Sequence, residues 1–432
     1  GTGFGTTAGN VTVEVGGVAC TVASVSDTSV GCTLGESPGG TQTVAVEVAG
    51  KGKQDHGGQT VLLDTDTAVL KMLLINGGEL IFDEKDVSLK AENILITNQG
   101  KLQVGTEDAP FQHKAIIEMH GHLRSQELPI YGAKTLAVRN GTLDLHGKFI
   151  PQTWSKLAST AEAGATQITL EHSVTWQVND EIVIATTGLR HSQSQTEKRS
   201  ISAVSADGRT LNLTAALNYK HLGVSESFGN HTIHFRAEVG LLTRNIVFRG
   251  SDDHVWHDDI PACPDGFNTG QFATQTCFQG RFGDETGADQ FGASIMMHAA
   301  DESKGTALAR IEGIEATYVG QAFRLGRYPI HFHLMGEVEG MYVRRCSIHR
   351  SFNRAVTIHG THNLTVEHNV VYDVMGGAIF IEDGIETNNV IQYNLAIFVK
   401  QSTSLLNDDV TPAAYWVTNP NNIIRHNHAA GG

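Results

Sequence analysis

Proline and cysteine are scarce in this sequence, at 9 and 5 of 432 residues, and basic residues (31) are outnumbered by acidic ones (46). Five cysteines are too few for a scaffold held by disulfides. A net charge of −15 argues against a nucleic-acid backbone or an anionic membrane surface as main partner, because a binder of phosphates needs a basic footprint. Glycine is abundant (47 residues) without matching proline, which excludes collagen and low-complexity disorder and favours short strands joined by tight turns. No window approaches the roughly 20 apolar residues of a membrane span. The start, Gly1-Thr2-Gly3-Phe4-Gly5, has no charged region followed by an apolar one, so no signal peptide is expected there. The chain reads as an internal piece of a longer one, with a length prior of about two to three domains.

Residues 1 to about 50 alternate apolar and polar positions, as in Val11-x-Val13-x-Val15 and Val44-x-Val46-x-Val48, the pattern of a small antiparallel β-sandwich. Cys20 and Cys32 flank a strand-turn-strand pattern and Cys263 and Cys277 bracket a glycine-bearing loop. Both pairs are candidate local disulfides of an oxidising compartment, leaving Cys346 unpaired. Asn-x-Thr sequons at Asn10, Asn212, Asn230 and Asn363 are candidate glycosylation sites. From 56 to 190, short strands end in Asn76-Gly77, Asn98-Gln99-Gly100 and Asn140-Gly141; each glycine follows Asn or another turn former, so the chain is expected to take positive φ and turn a corner there. Helical periodicity is weak, with one candidate short helix over residues 155–161.

After residue 305 a repeat emerges: Ile311-x-x-Ile314-x-Ala316, Val343-x-x-Cys346-x-Ile348, Val366-x-x-Asn369-x-Val371, Ile391-x-x-Asn394-x-Ala396 and Ile424-x-x-Asn427-x-Ala429. Repeats of about 20 to 50 residues signify solenoids. Glycine-punctuated β-coils of this length predict an all-β, right-handed parallel β-helix, with Asn369, Asn394 and Asn427 stacked as an internal ladder. A second strand is expected where residues 322–325, 355–358 and 378–381 align. In that register Phe323, Leu325, Val356, Ile358, Ile379 and Ile381 point inward. Arg324, Thr357 and Phe380 then form one outward column, and Gly326, His359 and Glu382 the next.

Three constellations can carry chemistry. His331 and His333, at i and i+2, share one face of a strand and can hold a divalent metal or act as acid and base; their bland alternative is a hydrogen-bonded corner. His359 beside Glu382, with Asp383, Arg327 and Arg354 near and Arg324 and Thr357 alongside, suits a polysaccharide carrying uronates: arginine grips the carboxylate while acid and base attack the glycosidic bond. A solvated ladder of polar pairs is the competing reading. The acidic stretch 251–259, with Asp258 and Asp259, can coordinate calcium or another divalent metal or be a solvated loop. His120-Gly121-His122 reads as structural. Phosphate-loop, His-Glu-x-x-His and Gly-x-Ser-x-Gly motifs are absent, which disfavours nucleotide chemistry and serine hydrolysis.

A family likeness rests on residues 69–86, His120-Gly121-His122-Leu123, Tyr131-Gly132-Ala133-Lys134, residues 237–246 and the run Leu325-Gly326-Arg327-Tyr328-Pro329-Ile330-His331-Phe332-His333-Leu334. These resemble a G8 domain and the parallel β-helix (PbH1 repeats) that follows it, and residues 18–33 resemble the closing strands of an IPT/TIG immunoglobulin-like domain. The combination is similar to the fibrocystin-L-like family of surface proteins. The resemblance implies a partial IPT/TIG domain at 1–52, a G8 domain at 53–190, a connecting β-region at 191–304 and β-helix repeats at 305–432. It further implies an extracellular glycoprotein piece of a cell-surface coat or adhesion protein that touches a glycan or matrix polysaccharide. The parent chain would be membrane-anchored, and this piece would contact no membrane. Other G8 proteins are associated with hyaluronan cleavage, so a metal-assisted, endo-acting hyaluronidase-type enzyme is the alternative, and a spacer without ligand the second alternative.

Overall fold

The computed structural model describes residues 60–122, 125–251, 290–299, 307–322, 324–401 and 412–431. It also describes residues 7 and 9 and the strands Val11–Val15, Val18–Ser26, Ser29–Leu34, Val44–Val48 and Gly52–Lys53. Those five strands form one antiparallel sheet, with Val11, Val13 and Cys20 buried on one side. Cys20 and Cys32 lie on adjacent strands, Cys32 opposite Val22. The Cys32 side chain lies outside the described residues, as do Cys263, Cys277, Phe323, Asn10, Asp258 and Asp259.

From Thr60 to Ala430 the described residues wind into a parallel β-helix of three sheets with nine, nine and eight strands. Each coil contributes in turn to a first sheet (opening with Thr60–Leu63), a second (opening with Val69–Leu70) and a third (opening with Leu73–Asn76). The sheets run unbroken from the region expected as a G8 domain into the C-terminal repeats, because Thr142–His146 pairs directly with Leu308–Glu312. Alternate residues of each strand point inward and build one continuous core, which includes Ile94, Leu136, Ile295, Ile330, Val356 and Ile379.

Every repeat of the C-terminal pattern is in register: Ile311 pairs with Val343, Val343 with Val366, Val366 with Ile391 and Ile391 with Ile424. The asparagine ladder forms as expected. Asn369 Nδ2 donates to Asn394 Oδ1 (2.9 Å) and Asn394 Nδ2 to Asn427 Oδ1 (3.0 Å), while Asn369 Oδ1 accepts the Cys346 amide (2.9 Å). Buried corner amides, which would otherwise lack partners, are thereby satisfied.

The turns take positive φ as expected, at Gly77 (72°), Asn98 (51°), Gln99 (64°) and Asn140 (53°). Gly100 and Gly141 serve close stacking instead: a Cβ at Gly100 would lie 2.3 Å from the Ile75 carbonyl oxygen, and one at Gly141 2.8 Å from Ile96 Cγ2. Residues 155–161 form no helix, since Trp154–Lys156 is a strand paired with Glu238–Leu241.

That strand belongs to an excursion between the first and second sheets of the fourth coil. Its six-stranded antiparallel sheet has its own core around Trp176, Ile182, Ile201 and Val239. It docks on the outer face of the second sheet, where Val183, Ala185 and Leu242 bury against Val370, Leu395 and Ile397. The Trp154 indole N–H donates to the Tyr393 carbonyl (2.8 Å), Thr153 Oγ1 to the His368 carbonyl (2.6 Å), and His428 meets Glu238 (3.0 Å). A Cβ at Gly240 would lie 2.7 Å from Val370 Cγ1, so this contact requires a bare backbone.

Candidate functional site

The third sheet places the chemistry. Val356, Thr357 and Ile358 pair with Ile379, Phe380 and Ile381 as expected. The preceding coil differs: Ile330, His331, Phe332 and His333 pair with Val356, Thr357, Ile358 and His359. The offset is thus 26 residues, where the expected alignment on residues 322–325 required 33. Ala322 and Leu325 belong to the turn before this strand. Arg324 is therefore outside the column; its Nη1 donates to Glu127 Oε1 (2.7 Å) and its guanidinium lies 5.1 Å from the Phe291 ring centre.

The correction merges two constellations into one. His298, His333 and His359 are neighbours in a single outward column, which the Ile358–Ile381 pairing extends to Glu382. His331 stands beside it on the same face, and the ligand atoms of His331, His333 and His359 all lie within 4.8 Å of one another. His333 Nδ1 and His359 Nδ1 are 3.0 Å apart.

The far nitrogens are already committed. His331 Nδ1–H donates to the Gly326 carbonyl (3.0 Å), which fixes the tautomer and leaves a lone pair on Nε2. That Nε2 is buried without a hydrogen-bond partner. His359 Nε2 meets Asp383 Oδ2 at 2.8 Å, again leaving Nδ1 turned to the cluster. Histidines that bind metals characteristically give their second N–H to a carbonyl or carboxylate in this way. Burial, together with the neighbouring His333, His359 and Arg327, holds His331 well below its ordinary pKa; burial and the same kind of repulsion push His333 down to about 4. Both rings are thus neutral at pH 7, the form that ligates metal.

The residues therefore fit a divalent transition metal better than calcium, which takes oxygen ligands. Zinc with nitrogen ligands at about 2.0–2.1 Å needs nitrogens about 3.4 Å apart, so the His333–His359 pair at 3.0 Å would widen slightly while the spread of up to 4.8 Å across the three rings would close. Asp258 and Asp259 lie outside the described residues and are not needed for this set.

The remaining expected residues take different roles. Thr357 points outward but is fully buried, and its Oγ1 has no hydrogen-bond partner, so no sugar can reach it. Arg354 is likewise buried. Its guanidinium lies 3.6 Å from the Phe380 ring centre, and Nη1 reaches Glu382 Oε1 at 3.4 Å, making it a support for Glu382. Glu382 Oε2 stands 3.9 Å from His359 Nδ1. Arg327 is packed against Gly132, where a Cβ would meet its Nε at 2.3 Å; burial lowers its pKa to about 10, and it stays charged. His120 pairs with Glu118 (2.9 Å), in line with a structural role.

Sequence reasoning missed two residues. His298 packs against His333 with ring centres 5.3 Å apart and the rings tilted by 43°, and the Tyr131 hydroxyl lies 3.3 Å from its Nδ1. Glu386, fully buried, accepts the amides of Gly360 (2.9 Å), Asp383 (3.2 Å) and Gly384 (2.8 Å). It thereby holds the loop that presents Asp383. The first had a signal, since residues 295–298, 330–333, 356–359 and 379–382 all read apolar, any, apolar, then His or Glu. A lone buried glutamate in a loop had none.

Family comparisons agree with this architecture. The IPT/TIG domain model matches residues 1–62, the G8 domain model 56–158 and the CEMIP beta-helix model 290–432. The class is thus a G8 and parallel β-helix protein carrying an IPT/TIG segment. More particularly, the chain is fibrocystin-L-like. It is similar to Fibrocystin-L of Mus musculus (62% identical over 377 residues) and of Homo sapiens (63% over 377), in each case over 87% of this chain and 9% of that protein. It is also similar to Fibrocystin of Canis lupus familiaris, 31% identical over 392 residues, 86% of this chain and 9% of that protein. The chain spans about a tenth of the length of these relatives. Among the described residues, no helix is long and apolar enough to cross a membrane.

Proposed function

We propose that this chain is an extracellular β-helix segment of a membrane-anchored, fibrocystin-L-like surface protein, and that it contacts a glycan or matrix polysaccharide along the outward column of the third sheet. The observation that carries the reading is the convergence of His333 and His359 on one strip with Asp383 at 2.8 Å from His359 and Glu382 on the following coil. Imidazoles and carboxylates aligned at the strand spacing of about 4.8 Å offer donors and acceptors at intervals close to those of sugar hydroxyls. His331, His333 and His359 would hold a divalent transition metal, which when bound would polarise an oxygen of the glycan. The chain's own residues orient it: the Gly326 carbonyl and Asp383 fix the two outer imidazoles, and Arg354 steadies Glu382.

The second reading, polysaccharide hydrolysis, is favoured by the donor count. Three imidazoles leave a fourth tetrahedral position open, as catalytic zinc sites do, and Glu382 stands close enough to serve as a base.

One experiment separates the two. The purified chain is loaded with zinc and offered fluorescent hyaluronan, and retention and polymer length are both measured. Retention that disappears with EDTA, at constant polymer length, supports the contact reading; EDTA-sensitive shortening supports hydrolysis. Neither retention nor shortening, in this chain and in one carrying its neighbouring modules, would refute both.

A further inference from the structure

A second polar cavity, of about 260 Å³, opens on another face of the molecule, where the edge of the docked antiparallel sheet meets the outer side of the second sheet. Glu181 lines it from the excursion, and Lys114, Arg249, Glu315, Thr317, His349 and Arg350 line it from the coils. The volume lies just below the range of about 300–1,000 Å³ used for drug-sized ligands, a size for one sugar ring.

Its charges are unevenly matched. Arg249 is taken by Glu118 (2.7 Å) and Glu181 by Lys198 (2.7 Å). The Lys114 ammonium donates only to the Arg244 carbonyl (3.2 Å), and Arg350 to the Tyr318 hydroxyl (3.0 Å); among the described residues neither forms an ion pair, although the charge of Lys114 also reaches Glu315. Two cations with neutral partners favour an anion.

The uncharged groups specify more. Thr317 Oγ1 and His349 Nδ1 are buried and have no hydrogen-bond partner, on residues 7% and 2% exposed. A native structure leaves few such atoms without reason. His349 Nε2 lies 3.1 Å from Glu315 Oε1. Burial would raise the Glu315 carboxyl, but the hydrogen bond and charge of His349 and the Arg244 amide outweigh it and keep Glu315 ionised. An ionised carboxylate only accepts, so His349 Nε2–H donates to Glu315, and His349 Nδ1 is left without a partner. The cavity thus offers one imidazole nitrogen and one hydroxyl in need of partners and two cations, while the Glu315 carboxylate in its wall is taken by His349.

We infer that this cavity binds a hydroxylated carboxylate of monosaccharide size, a uronic-acid sugar, with its carboxylate toward Lys114 and Arg350 and a ring hydroxyl hydrogen-bonded to His349 Nδ1. The site is separate from the histidine column, which lies on the third sheet, and does not depend on the reading of that column.

The test is titration of the whole chain with free D-glucuronate, D-glucose and inorganic sulfate, followed by protein-detected NMR. Glucuronate is expected to bind at least tenfold more tightly than glucose or sulfate. Arg350→Met and Lys114→Met should each weaken it at least tenfold, and the near-isosteric Thr317→Val about threefold or more. Arg350→Lys, which keeps the charge, should stay closer to the parent chain than Arg350→Met. Equal affinity for glucose would overturn the inference, and equal affinity for sulfate would reduce the cavity to a plain anion site and overturn the sugar assignment. Unchanged binding in the folded Arg350→Met and Thr317→Val chains would move the ligand elsewhere and overturn it as well.

Discussion

His333 and His359, neighbours on adjacent coils, bring their Nδ1 atoms to 3.0 Å. Two lone pairs repel at that distance, so one proton must lie between the rings or a cation must take its place. If these rings and His331 hold zinc, His333→Ala and His359→Ala should each lower zinc affinity by at least 100-fold, read by competition with a chromophoric chelator. Unchanged affinity in both variants would remove the cluster as a metal site.

The same rings set a dependence on acid. His333 has a folded pKa of about 4 and His331 one well below its ordinary value, against about 6.5 in the unfolded chain. Between those limits the unfolded state binds more protons. Stability is therefore complete above about pH 6.5 and falls as pH drops toward 4. Urea midpoints measured from pH 7.5 to 4.5 should show this decline, and it should be shallower in His333→Gln.

Glu386 acts on the metal site only through the loop it holds. Glu386→Gln should weaken zinc binding about tenfold, in the range of altered outer partners of metal ligands, by loosening Asp383 from His359. Asp383→Asn should have a similar effect with less loss of stability. A Glu386→Gln chain that is destabilised but binds zinc normally would assign this residue to stability alone.

Asn394→Ala interrupts the ladder in its middle. The Asn369 amide and the Val366 carbonyl both lose their side-chain partner, and each stranded buried group costs about 1–3 kcal/mol. Denaturant titration should register a loss of about 2–4 kcal/mol, with no change in zinc affinity.

Cys346 is a fully buried free thiol whose pKa burial pushes up to about 12. With so little thiolate it should resist iodoacetamide in the native chain at pH 8 and react on unfolding. Intact-mass and peptide mapping would detect the difference.

Much of this fold was legible because a solenoid writes its geometry into the chain. The Val343, Val366 and Ile391 pattern has one strand per coil at nearly constant spacing, and every member paired as read. The third sheet was harder, because the turn before Ile330 is longer than its counterparts and carries Ala322, which resembles Ala355 and Ala378 at the edges of the true strands. Ala322 therefore imitated Ala355, and the histidines at 331 and 333 were separated from His359 by a register error. The docking of the excursion left no periodic trace, since it depends on surfaces that meet 130 or more residues apart, such as Trp154 against Tyr393.

Stacked coils ordinarily fray from their ends, since each touches only its neighbours. Here the chain leaves the fourth coil, folds, and returns to clasp the seventh to ninth through Trp154, Thr153 and Glu238. Melting the last coils thus means releasing that clasp as well, so the C-terminal half should open as one cooperative block rather than unravel turn by turn.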